Sequence, residues 1–189
     1  MASYIDVIEG RRSPGRKVAI VGAGGIGFDV AELLTHAEGH GDPIDAYRKE
    51  WGIDTEYTRR GGLKDPEQAA PPRQVTLLQR KTSKVGDGLA KTTGWAKRLM
   101  LVKRGVQMVP GVDYEKIDDA GLHIRLDGQP KVLDVDTVVI CAGQDPRREL
   151  QADLEKAGIP VTLIGGADVA TELDAKRAIA QGTKVAMAL

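Results

Sequence analysis

The sequence predicts an α/β fold, a doubly wound parallel sheet with a β-hairpin excursion. Three observations carry this. Short β-branched apolar runs ("KVAIV", "VTLL", "DTVVI") alternate with longer stretches whose apolar residues recur at helical spacing. Glycine-bearing turns, at Gly22–Gly27, Gly143 and Gly165-Gly166, fall at the carboxyl ends of predicted strands, where such sheets hold ligands. The first of them, Gly22-Ala23-Gly24-Gly25-Ile26-Gly27, fits G-x-G-x-x-G between a strand and a helix, the Rossmann-like arrangement.

Residues 1–15 read as a lead-in, with "YIDVIEG" as one short helix or strand and "RRSPG" as a turn. "KVAIV" is then a strand. "GIGFDVAELLTHA" is a helix, with Ile26, Val30, Leu33 and Leu34 as its apolar positions. Residues 37–73 are rich in Gly, Pro and charge and read as an insert over the surface, with one short helix at "IDAYRKEWG". The insert delays the second strand, "QVTLLQR". Arg80 stands 53 positions after Gly27 (80 − 27), where roughly 20 is usual. "GWAKRLMLVKRG" is a helix ending at Gly105, and "VQMVPGV" is a short strand. "LHIRL" and "KVLDV" flank the turn Asp127-Gly128 as a hairpin. "DTVVICAGQDP" is a strand ending in glycine, and "VTLIGGADVATELDAKRAIAQG" is strand, turn and closing helix from about residue 172. The domain boundaries that follow are a lead-in over 1–15, a nucleotide-binding domain over 16–140 and a separate portion over 141–189.

Composition narrows the function. The 189 residues carry 27 basic and 27 acidic side chains, so bulk attraction to nucleic acid or anionic lipid is not indicated. The single cysteine, Cys141, excludes an internal disulfide and a self-contained iron–sulfur cluster, which takes about four protein ligands. "MASYIDVIEGRRSPG" lacks the apolar core of a signal peptide, and no stretch reaches transmembrane length. The expectation is a cytoplasmic protein with no membrane and no nucleic-acid partner.

Each glycine of the motif has a task. Gly22 permits the tight turn, Gly24 with its neighbour Gly25 lets backbone approach a pyrophosphate, and Gly27 lets helix and strand pack closely. The helix N-terminus adds free N–H groups and partial positive charge. An Asp or Glu usually ends the second strand and holds the adenosine ribose. Here Gln79, Arg80 and Lys81 stand there, with Lys84 nearby. A guanidinium can bond a phosphate at two points, and a 2′-phosphate repels carboxylates, so this strand end predicts NADP(H). Lys91, in "GLAKTTGW", is a further candidate nucleotide contact. The bland readings are a ligand-free turn and a solvated basic loop. Lys97, Arg98, Lys103 and Arg104 read as solvated helix residues.

"VVICAGQDP" resembles the exit from the NAD(P) domain of flavoprotein disulfide reductases, with Gly143 at its turn. "VTLIGGADVATELDAKRAIAQG" resembles their second FAD signature, with Gly166 and Asp168 separated by Ala167. More closely, "KVAIVGAGGIGFDVAELL", "LLQRKTSKVGDGLAKTTGWAKR" and "IGGADVATELDAKRAIAQGT" resemble the C-terminal region of bacterial NADPH-dependent 2,4-dienoyl-CoA reductases, whose family includes trimethylamine and histamine dehydrogenases. The resemblance implies a fold of the two-dinucleotide-binding flavoprotein type. It implies that 141–189 is the C-terminal part of a split FAD-binding domain, in which Asp168 meets the ribityl or pyrophosphate region. It also implies a longer polypeptide that carries the rest of the FAD site and an N-terminal barrel with FMN and a 4Fe-4S cluster. Electrons would pass from NADPH to FAD, cluster, FMN and an enoyl-CoA. The present chain alone would be inactive on dienoyl-CoA and holds no catalytic residue. The alternatives are a structural ADP- or nucleotide-binding domain without hydride transfer, as in amine dehydrogenases of that family, and a ligand-free interaction module.

The remaining candidates are bland. His36 and His40 sit four apart near glycines and read as a solvated helix end rather than a metal site; Cys141 reads as a buried hydrophobe. His123 reads as facing solvent. Trp51 and Trp95 read as packing residues.

Overall fold

In the computed structural model the described residues are 1–36, 43–171 and 173–188. They divide into two units, 1–142 and 143–189.

The first unit begins with a two-residue strand, β1 (Ala2–Ser3). Ser3 then caps α1 (Tyr4–Ile8), its hydroxyl accepting from Asp6 N at 3.1 Å. β2 (Lys17–Val21) leads through the glycine turn into α2 (Gly25–Thr35). α3 (Pro43–Trp51) lies in the insert, followed by β3 (Gln74–Leu78) and α4 (Gly94–Lys103). Then come β4 (Gln107–Val109), β5 (Val112–Asp118), β6 (Gly121–Leu126), β7 (Gln129–Leu133) and β8 (Thr137–Ile140). Five strands form a parallel sheet in the order β1-β8-β2-β3-β4. β2 lies at its centre because Val18, Ala19 and Ile20 give apolar groups to both faces, as buried parallel strands do.

The pleat sorts those groups. Val18 and Ile20, with Val75, Leu77 and Val139, pack against Phe28, Val30, Ala31 and Leu34 of α2 and Leu101 of α4. Ala19, Leu78 and Val138 pack instead against Val112, Leu122 and Ile124. Those last three belong to a second, antiparallel sheet, β5-β6-β7. Helices thus cover one face of the parallel sheet and a three-stranded sheet covers the other. The expected hairpin is present as β6 and β7, turning at Asp127 (φ 51°) and Gly128 (φ 76°), the left-handed pair that a two-residue hairpin turn requires. β5 was not expected: apart from Val112 and Tyr114 its side chains are exposed, so its apolar signal is faint.

Other placements differ from the sequence reading. Ala2 and Val7 of the expected lead-in are buried in the first core, and β1 pairs with β8. Leu33 faces solvent, while Phe28 and Ala31 fill the helix face. The described part of the insert is internally braced. Asp54 accepts from Thr58 Oγ1 at 2.8 Å, from Arg59 N at 3.0 Å and from Glu56 N at 3.1 Å. Glu50 of α3 takes a two-point ion pair from Arg104, the C-cap of α4, at 2.8 and 3.1 Å.

The second unit contains α5 (Gln151–Lys156), a 3-10 turn over Gly165–Ala167 and α6 (Ala175–Ala186). The expected strand at 161–164 is not formed. Ile164 is extended (φ −136°, ψ 160°), but no described residue of the unit pairs with it, and a strand exists only through pairing. α6 starts at Ala175, later than residue 172 (itself outside the described residues), because Asp174 accepts from Arg177 N at 2.7 Å and sets the N-cap.

Candidate nucleotide site

The glycine turn leaves the carboxyl end of β2. Gly22 N donates to Leu78 O at 3.0 Å, and Cys141 N donates to Val21 O at 2.8 Å, so the turn sits between the ends of β3 and β8. Its glycines serve two purposes. Gly22 has φ +108°, and a Cβ there would lie 2.8 Å from the Cys141 carbonyl. At Gly27 a Cβ would lie 1.9 Å from Gly22 O. The fold requires both to be glycine. Gly24 (φ −80°, ψ −171°) is backbone that any residue adopts, and a Cβ at Gly24 or Gly25 meets nothing within 4 Å. The space beside these two is open, and it adjoins the N-terminus of α2, where no side chain caps the first-turn N–H groups. Asp29, one turn further on, is neutralised by Lys97, whose pKa that carboxylate raises. The turn therefore fits a pyrophosphate.

Immediately alongside, β3 ends at Leu78 and residues 79–83 form a braced loop. Gln79 Nε2 donates to Lys81 O at 2.9 Å and to Ser83 O at 2.6 Å. Val112 N donates to Gln79 O and Gly111 N to Lys81 O, both at 3.0 Å. Arg80 projects from this loop, exposed, and no described residue forms a hydrogen bond or ion pair with its side chain. Lys81 and Lys84 are exposed beside it, and Lys91 is exposed just before α4. The structure thus places Gly24, Gly25 and Arg80 at the ends of neighbouring strands. The brace from Gln79 was not read from the sequence, where an amide at that position signals nothing by itself.

The basic residues of α4 are engaged rather than merely solvated. Arg98 Nε donates to Val85 O at 3.0 Å, holding the 79–93 loop against the helix, and Lys103 lies 4.7 Å from the Trp51 ring centre. Trp51 packs as expected, whereas Trp95 is 66% exposed. His123 does not face solvent: Nε2 lies 2.8 Å from Asp118 and the side chain is only 19% exposed. α2 stops at Thr35, leaving His36 as its C-cap; His40 lies outside the described residues. Cys141 packs against the first core, and burial pushes its thiol up to about 12, so it is no thiolate nucleophile at neutral pH. A cleft of about 750 Å³, lined in part by Lys17, Arg73, Gln107 and Lys131, lies at the amino ends of the strands, the opposite end from the glycine turn.

In the second unit Gly143 has φ 83°, and Gly165 (φ 58°), rather than Gly166, is the turn glycine that the backbone demands. Gly166 has no positive φ, but a Cβ there would lie 3.0 Å from Leu173 Cδ2. Asp168 Oδ2 accepts from Gln181 Nε2 at 2.9 Å, and Gln181 Oε1 accepts from Gly165 N at 2.8 Å. Arg148 donates to the carbonyls of Ala167 and Asp168, both at 2.6 Å. Asp168 is thus a buttressed turn residue, and the helix after it carries its own anionic cap.

The pyridine nucleotide-disulphide oxidoreductase family matches residues 4–178. The chain belongs to this family. Membership carries a nucleotide- and flavin-binding redox role, with FAD and NAD(P) as the cofactors the family implies. A metal reductase from Desulforamulus reducens is 24% identical over 170 residues, 86% of this chain and 23% of that protein. The structure of a 2-naphthoyl-CoA reductase shares the fold with a TM-score of 0.64 at 20% identity, over 95% of this chain and 22% of that one. Histamine dehydrogenase from Rhizobium sp. 4-9 does so with a TM-score of 0.65 at 17% identity, over 98% and 25%. The chain therefore spans about a quarter or less of the length of each of these proteins.

Proposed function

We propose that the chain is the NADPH-docking part of a larger flavoenzyme of the 2,4-dienoyl-CoA reductase type. The open backbone at Gly24 and Gly25 takes the pyrophosphate, with the first-turn N–H groups of α2 donating to it. Arg80, with Lys81 beside it, takes the 2′-phosphate, and Lys91 adds positive charge to the same rim. Bound NADPH supplies a hydride, for which the acceptor in this reading is FAD, held by the remainder of a longer polypeptide together with Gly143, Gly166 and Asp168. FMN and a 4Fe-4S cluster belong to that remainder. In this reading the residues of the chain bind and orient the nucleotide and hold no proton or nucleophile for the reaction.

The observation that carries the reading is the pairing of an open phosphate turn with an unpartnered arginine one strand away. Each charge-assisted hydrogen bond contributes about 1.5–3 kcal/mol. NADPH should bind roughly ten- to a thousandfold tighter than NADH at low salt, and the preference should shrink as salt rises. Calorimetric titration of both nucleotides against wild type and Arg80→Ala tests this. Arg80→Ala should weaken NADPH and leave NADH nearly unchanged. Equal affinities in the wild type, or equal losses in the variant, would return the basic loop to a solvated surface and leave the structural-nucleotide alternative.

A further inference from the structure

We propose that Tyr114 positions Arg80 for the 2′-phosphate, its hydroxyl accepting from the guanidinium and donating its own proton to a phosphate oxygen. The proposal rests on the NADPH reading and extends it to a residue on the other sheet. Tyr114 follows Val112 by two residues, so both side chains lie on the face of β5 that packs on the parallel sheet. Val112 N is the group bonded to Gln79 O, which fixes the start of β5 against the loop that carries Arg80. Directly after Tyr114 the register slips, from Tyr114 opposite Ile124 to Lys116 opposite His123, leaving Glu115 as an extra residue. A bulge of this kind re-aims the side chains next to it.

The result is an unusual phenol. Its ring packs with the second core, and its Oη is buried without a hydrogen-bond partner among the described residues. Buried hydroxyls are almost always bonded, so an orphan calls for a missing partner. Burial pushes its pKa up to about 12, and the positive charge of Arg80 acts against that rise, so the two groups are electrostatic neighbours. Among the described residues Arg80 has donors and no hydrogen-bond partner, and Tyr114 has an acceptor, a donor and no hydrogen-bond partner. A phosphate dianion arriving beside Arg80 completes both sets. A neutral hydroxyl can accept and donate at once, which a second cation cannot.

Tyr114→Phe removes the oxygen and keeps the ring. It should lower NADPH affinity about three- to tenfold, leave NADH within twofold, and leave the melting temperature equal or higher, because an unpaired buried hydroxyl is lost. In the Arg80→Ala background the same change should cost NADPH less than it does in the wild type and leave NADH unchanged. A residue that only fills the core would shift both nucleotides together or neither. As a second readout that needs no core substitution, wild-type protein labelled at tyrosine Cζ should show one of its four tyrosine signals move with NADPH and not with NADH. A wild type with no NADPH preference overturns both the docking reading and this proposal. A wild type that prefers NADPH through Arg80, while Tyr114→Phe keeps the full preference and no Cζ signal moves, overturns this proposal alone.

Discussion

At the scale of single residues, the glycine motif separates binding from folding. Gly22 and Gly27 touch backbone, so any side chain there collides with the protein itself. Gly24 touches nothing, so a side chain there collides only with a ligand. Gly24→Val should leave the melting temperature within a degree or two and abolish binding of both nucleotides. Gly27→Ala should cost about 1–3 kcal/mol through overpacking, which in a chain of this size lowers the melting temperature by roughly 2–12 °C. Thermal melts and titrations of the two variants side by side check the distinction, and a Gly24→Val protein that still binds either nucleotide would remove the pyrophosphate from this turn. The motif was legible because four glycines at fixed spacing between strand and helix have few other uses. The burial of the Tyr114 hydroxyl and the brace from Gln79 were not legible, because both depend on which loop a distant strand is bonded to. The reading of His123 failed for a local reason: its partner Asp118 is five residues away across the turn at Ala120, on the strand that the sequence did not reveal.

At the scale of elements, the antiparallel sheet carries its own electrostatic device. Asp118 is held by Lys116 Nζ at 2.7 Å, by His123 Nε2 at 2.8 Å and by Ala120 N at 3.0 Å. These donors, Lys116 first, hold its carboxyl well below the usual carboxylate range. A carboxylate whose pKa is depressed by folding contributes its stability above the unfolded value, near pH 4, and loses it as pH falls below that. Asp118→Asn should therefore melt below wild type at pH 7, and the gap should narrow between about pH 4 and pH 2. A gap independent of pH across that range would mean that the carboxylate charge plays no part. Among elements, helix α2 and strands β2, β3 and β8 were legible from unbroken apolar runs and periodicity. β1 was not, being two residues long. The run at 161–164 looks like a strand because it is apolar, but apolarity reports burial potential and not the presence of a pairing partner.

At the scale of the whole molecule, the two units differ in how firmly they are built. In the first unit the central strands β2, β3 and β8 are buried on both faces. In the second, neither α5 nor α6 has a buried residue, and Leu150, Ile159, Val169 and Ile179 are exposed. Amides of 175–186 should exchange at least tenfold faster than those of 18–21 and 75–78, because opening there uncovers little apolar surface. Equal slow exchange in peptide-resolved hydrogen–deuterium exchange would contradict it. The alternation of strand and helix made the first unit readable. The layering did not show, because no local pattern says that a hairpin will cover a sheet. That layering has a temporal side. β8 lies between β1 and β2, so two strands from the beginning of the chain meet only through one made more than a hundred residues later. At roughly 5–20 residues per second, the nascent chain waits on the order of ten seconds with one side of β2 unpaired. The glycine turn shares this delay, since Gly22 packs against Cys141. The nucleotide cradle therefore cannot close on the ribosome until the strand that ends at residue 140 has emerged, and the earliest residues of the motif are among the last to reach their final shape.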